Sequence, residues 1–161
     1  MDGAGNVSDT IAGDGFVVDI IAPEPGIIND GFDSNDELDW TIDSTELDVR
    51  WQDFSDNFVI GSYEISILDE PDTVKVLDWF SVDTIADSAS ITGIALQRNM
   101  QYFVAVRAVD MAGNKSDSVR TDGIRFDNLP ARIDTVMPSP NTYLDVSSIE
   151  MINFKFNKDV T

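Results

Sequence analysis

Four aspartates at intervals of three, Asp30, Asp33, Asp36 and Asp39, crowd a loop that also carries Asn29, Gly31 and Asn35. Hard cations take six or more oxygen ligands, and clustered carboxylates supply them, so the chemistry this loop suggests is calcium binding. It lacks the ordered ligand spacing of a helix-loop-helix calcium site, which leaves a solvated acidic loop as the alternative. Asp110 and Asn114 form a second pair of oxygen donors, against which stands the ordinary use of Asp and Asn to cap turns. Trp40 and Trp79, with Phe32 and Phe80, are candidates for an aromatic platform that binds a sugar; filling the core or shielding a sheet edge is the competing use. Catalysis finds less support. The chain has no His and no Cys, and its Ser residues have no base beside them. A glycosidase would need two carboxylates across a cleft, for which a small sandwich has little room. The chain is therefore read as non-catalytic and as needing no cofactor, with calcium the one ion its loops suit.

Composition narrows the partners. Among 161 residues, 30 are acidic and 10 basic, a net charge of −20. Nucleic acid and anionic membrane surfaces both require a Lys/Arg footprint that this chain lacks. No apolar run approaches a membrane span. Apolar residues still make up 42%, and the mean hydropathy is −0.11, enough to build a core. The acidity itself keeps a surface protein soluble by self-repulsion, or calls for cations to quench that repulsion.

The elements that must position these residues read as strands. Leu47, Val49 and Trp51 alternate with Asp48 and Arg50; Tyr63, Ile65 and Ile67 alternate with Glu64 and Ser66. Val74 and Val76 flank Lys75, Tyr102, Val104, Val106 and Ala108 share one face, and Ile124 and Phe126 flank Arg125. Period 2 with polar partners predicts one face in the core and one in water. No helical stripe competes, so the chain is predicted to be all-β, a sandwich of antiparallel strands.

The chain also repeats itself. Asp2-Gly3-Ala4-Gly5-Asn6-Val7-Ser8-Asp9 matches Asp110-Met111-Ala112-Gly113-Asn114-Lys115-Ser116-Asp117 at a fixed offset of 108 residues. The register holds from Asp14-Gly15 to Asp122-Gly123 and from Asp19 to Asp127; Pro23 and Pro130 follow after a one-residue slip. A period of this length suits domains strung in series. Residues 1–22 are accordingly read as the last loop and strand of a preceding repeat, with a strand at Phe16–Ile20. Residues 23–129 are read as one complete domain and residues 130–161 as the first strands of a following one. Met1 is then an added start residue, and the missing signal-peptide pattern carries no weight.

Residues 23–129 resemble a fibronectin type III repeat, in particular those of large bacterial surface and secreted proteins. The marks are Trp51 ending an early strand, Tyr63-Glu64-Ile65 opening the next, and Leu96 six residues before Tyr102. The run from Tyr102 to Asp110 then leads into Ala112-Gly113-Asn114. Asp30-Gly31, Asp36 and Asp39-Trp40 are similar to the opening of the bacterial version, and Phe154 to Val160 to the opening of a bacterial immunoglobulin-like domain. The resemblance implies a seven-stranded sandwich in which Tyr102 forms a tyrosine corner, with Trp51, Tyr63, Leu96, Gly113 and Asn114 as structural residues. It also implies an extracellular or cell-surface spacer or adhesion module flanked by neighbouring repeats. Two other roles stay open: a glycan- or protein-binding module on a secreted hydrolase, and a self-assembling subunit that exchanges its end strands.

Overall fold

Alternating apolar residues build the strands of the computed structural model, which describes residues 3–32, 37–70, 75–83, 86–137, 139 and 152–157. In chain order these strands are β1 (Ile27–Asp30), β2 (Trp40–Thr41), β3 (Glu46–Gln52), β4 (Ile60–Asp69), β5 (Lys75–Val82) and β6 (Ser88–Thr92). They continue as β7 (Gln101–Asp110), β8 (Val119–Arg120), β9 (Ile124–Phe126), β10 (Ile133–Met137) and β11 (Asn153–Phe156). One sheet has the order β1-β3-β6. The other has the order β2-β9-β7-β4-β5, with β8 also on β7. β1 and β2 are two parts of a strand that changes sheets, and β8 and β9 two parts of the last strand. Counted so, seven strands close an immunoglobulin-like sandwich of the fibronectin type III arrangement.

The ladders within it are antiparallel except β2 with β9, which run parallel. That departure from an all-antiparallel fold follows from the crossing: a first strand that changes sheets lies beside the last strand and runs the same way.

The core lies between the sheets. Leu47, Val49, Trp51 and Ile91 face Ile65, Ile67, Tyr102, Val104, Val106, Ile124 and Phe126, and the loop residues Ile94 and Leu96 close one end. Burial of these side chains is the main source of stability. The period of β4 breaks at one position. Ser66 was expected in water, yet it is 1% exposed and donates to the Leu77 carbonyl at 3.0 Å, because β5 pairs over it. Val74 lies outside the described residues.

β7 spans the sandwich end to end. Its first residues pair with β9, after which the chain leaves; its last residues adjoin the turn at 110–114. The incoming chain meets that turn, where the Asn114 side-chain amide donates to the carbonyls of Asp19 (3.2 Å) and Ile21 (3.4 Å). Arrival and departure are thus about 30 Å apart, the rise of a ten-residue strand.

The sequence repeat has a backbone counterpart. Gly5 and Gly113 have φ of 89° and 93°, and Gly15 and Gly123 have φ of 88° and 103°, values that favour glycine. The Ile21 N–H donates to the Asp19 carboxylate at 3.0 Å, as the Leu129 N–H does to Asp127 at 2.8 Å. Phe16–Ile20, expected as a strand, forms no ladder with any of the described residues, and Phe16, Val17, Val18 and Ile20 are exposed. A single strand without a ladder partner cannot satisfy its own backbone. β10 and β11 pair only with each other among the described residues, and Ile133, Met137 and Phe154 are exposed.

Candidate functional site

The strongest chemical feature lies where the first strand changes sheets. β1 ends at Asp30, and Gly31 (φ 87°) donates its N–H to Asp48 at 2.9 Å and turns the chain away. The chain rejoins the opposite sheet at Asp39, whose carbonyl accepts from the Arg125 N–H at 2.9 Å. On the facing side the last strand is interrupted between β8 and β9. Thr121 is locked to Val104 there by two hydrogen bonds, and Gly123 makes the bend. These two irregularities bring Asp30, Glu37 and Asp122 together, with a carboxylate oxygen of each within 4.8 Å of the others.

Asp30 is the unusual member. It is 1% exposed, and neither carboxylate oxygen makes a well-formed hydrogen bond; the Thr121 hydroxyl and the Gly123 N–H act on it only as weaker donors. A buried carboxylate so poorly partnered favours its neutral form. Burial accordingly pushes the Asp30 carboxyl up to about 7; repulsion from Asp122 and Glu37 adds to this, while the Thr121 hydroxyl and the Gly123 N–H oppose it. Glu37 and Asp122 are exposed, and Glu37 accepts from the Asn29 side-chain amide at 3.2 Å.

This differs from the set expected from spacing. Of Asp30, Asp33, Asp36 and Asp39, the structure brings Asp30 into the cluster. The Asp39 carboxylate is outside it, and Asp33 and Asp36 lie outside the described residues. A spacing of three in a loop imposes no common face, so the nearness of Asp39 to Asp30 along the chain did not bring its carboxylate into the cluster. Sequence reasoning missed Glu37 and Asp122. Asp122-Gly123 did stand in the repeat match, an Asp-Gly pair like Asp30-Gly31, but nothing local links two segments so far apart.

A second carboxylate group, Asp19, Asp56 and Asp110, gathers where the incoming chain meets the 110–114 turn. Here the turn reading holds. One Asp110 oxygen accepts from the N–H groups of Ala112 and Asn114, both at 2.8 Å, and the other from the Asn114 amide at 2.7 Å. Burial pushes the Asp110 carboxyl up, but the bonds from the Asn114 side chain and from the Asn114, Ala112 and Gly113 N–H groups outweigh it and hold the carboxyl below its ordinary value. Gly113 supplies the left-handed position of this turn.

The aromatic candidates do not meet. Trp40 lies on β2 and Trp79 on β5, the two edges of one sheet, four strand spacings or about 19 Å apart. Trp40 is 60% exposed. Trp79 is half-buried under the Arg107 guanidinium, 4.2 Å from its ring, beside a shallow groove with Lys75 and Arg120. Phe80, on the other face of β5, packs against the core, and Phe32 is exposed. Arg107 also pairs with Glu64 (2.6 Å), which Lys115 joins at 2.9 Å, so both cations are engaged in ion pairs.

The structural residues sit in the core. Trp51 is 1% exposed and packs on Tyr63, with ring centroids 5.4 Å apart; Leu96 is buried. The Tyr102 hydroxyl accepts from the Gln97 N–H at 2.6 Å, tying the β7 start to the loop before it.

No family model and no curated protein matches the sequence. Solved structures do. The twitchin kinase region of C. elegans (Fn31-NL-kin-CRD-Ig26) aligns with TM-score 0.46 and 15% identity over 71% of this chain, which spans 19% of that one. The fn3 domain of human contactin 1 aligns with TM-score 0.42 and 20% identity, over 81% of this chain and 97% of that one. Module A71 of titin from human cardiac muscle aligns with TM-score 0.41 and 17% identity, over 63% and 94%.

Proposed function

We propose that this chain is a non-catalytic spacer module of a bacterial multi-domain protein, extracellular or on the cell surface, and that it holds neighbouring units apart. The observation that carries the reading is the layout of residues 23–129: the chain arrives at one end of β7 and leaves at the other. A module built this way adds its length to whatever it joins. In this reading residues 1–22 are the end of a preceding repeat, and residues 130–161 begin a following immunoglobulin-like unit. The recurrence of the Gly and Asp backbone geometry at an offset of 108 residues supports that division. So do the exposed apolar side chains at both ends, which would find partners in neighbouring sheets.

Pulling the full chain from its two ends tests the mechanical role. One cooperative unfolding event is expected, releasing the length of the sandwich alone, about 107 residues at roughly 3.6 Å each. Gradual extension without such an event would defeat the spacer reading. The exposed Trp40 favours a glycan-binding module as the rival. Retention on insoluble polysaccharide that is lost in a folded Trp40→Ala variant would establish that rival instead. Light scattering that finds dimers of the full chain would favour strand exchange.

A further inference from the structure

We propose that Asp30, Glu37 and Asp122 bind a hard divalent cation, calcium, which fastens the sheet-crossing segment to the break between β8 and β9. The inference does not depend on the spacer reading. It rests on two observations, the convergence of two carboxylates of the crossing segment with a third from the distant β8–β9 break, and the state of Asp30. A buried carboxylate without a well-formed hydrogen bond, facing two further carboxylates, is poorly balanced by the Thr121 hydroxyl and the Gly123 N–H. A cation supplies that balance. The other acidic group serves as an internal contrast: both Asp110 oxygens are already occupied by N–H donors, so nothing there calls for an ion.

Coordination chemistry favours calcium. It takes six to eight oxygen ligands in flexible geometry, which three carboxylates completed by water can supply. Magnesium demands near-ideal octahedral geometry and usually keeps several waters beside only one or two carboxylates. The three carboxylates leave ligand positions for water on the exposed side of Glu37 and Asp122.

The test uses the full chain, freed of metal by chelation, at pH 8 and about 0.15 M salt to screen the general acidity. Calcium is titrated by calorimetry and by thermal unfolding. A saturable rise in midpoint is expected, with magnesium at least about tenfold weaker. Asp30→Asn should abolish the calcium response while remaining folded by circular dichroism. Asp122→Asn should weaken binding by about tenfold or more. Asp39→Asn should leave it unchanged. Equal responses to calcium and magnesium would mean charge screening and would overturn the proposal. So would a calcium response that survives Asp30→Asn, or none in the folded wild type.

Discussion

Asp30 and Asp110 are both buried aspartates at the end of a strand, 1% and 4% exposed, yet their surroundings are opposite. Asp110 accepts from two backbone N–H groups and a side-chain amide, and its carboxyl stays below the ordinary value. Asp30 makes no well-formed hydrogen bond, has only weak help from the Thr121 hydroxyl and the Gly123 N–H, and is pushed up to about 7. The difference teaches that burial alone does not fix the cost of a carboxylate; the number of donors aimed at it does. A local turn supplies donors from its own backbone. A site assembled from two segments far apart in the chain brought two more carboxylates instead.

The largest expected effect comes from removing the Asp30 charge. In metal-free protein at pH 8, Asp30→Asn should stabilise the fold by about 2–4 kcal/mol in denaturant unfolding, because the amide can donate to Glu37 and Asp122. The sign follows from the shift. Between the ordinary 3.8 and about 7 the folded state holds a proton that the unfolded chain has released. Wild-type stability from this group therefore falls as pH rises across that window and is flat above it, and the variant should lose this slope. Asp110 acts the other way: its contribution is present above the ordinary carboxylate value and disappears as pH falls through its lowered one. A destabilised Asp30→Asn would break the comparison.

Asn114→Ala comes next. It removes the amide bond to Asp110 and those to the Asp19 and Ile21 carbonyls, and should cost about 1–2 kcal/mol by the same measurement. Residues 19–21 should then become more accessible to protease. An unaltered cleavage rate would separate the turn from the docking of the incoming chain. Tyr102→Phe sharpens the rule with a neutral group. Loss of its 2.6 Å bond from Gln97 should cost about 1 kcal/mol with the core intact, read as a shift in denaturant midpoint. The smallest effect belongs to Asp39→Asn, which should change stability by less than about 0.5 kcal/mol, since Asp39 enters the fold through its carbonyl.

The strands of the sandwich were legible because each carries its own period. Leu47, Val49 and Trp51 in β3, and Tyr102, Val104 and Val106 in β7, can lie on one face only if the backbone is extended. The Asp110 turn was legible too, since its donors lie within four residues of the acceptor. The candidate cation site was half legible. Asp30 stood out, but its partners Glu37 and Asp122 did not, and the even spacing drew attention to Asp39, whose carboxylate lies outside the cluster. Trp40 and Trp79 misled in the same way, as similar residues that the strand order holds apart.

The amino-acid sequence by itself determined what short-range physics controls: the all-β class, the inward faces, the turns where Gly takes a positive φ, and a repeat whose backbone echoes at 108 residues. Tertiary structure alone decided which edge each aromatic occupies, where the first strand leaves its sheet, and that Asp122 meets Asp30 and Glu37. Those outcomes depend on how strands far apart in the chain are ordered side by side, and sidechain periodicity carries no information about that order.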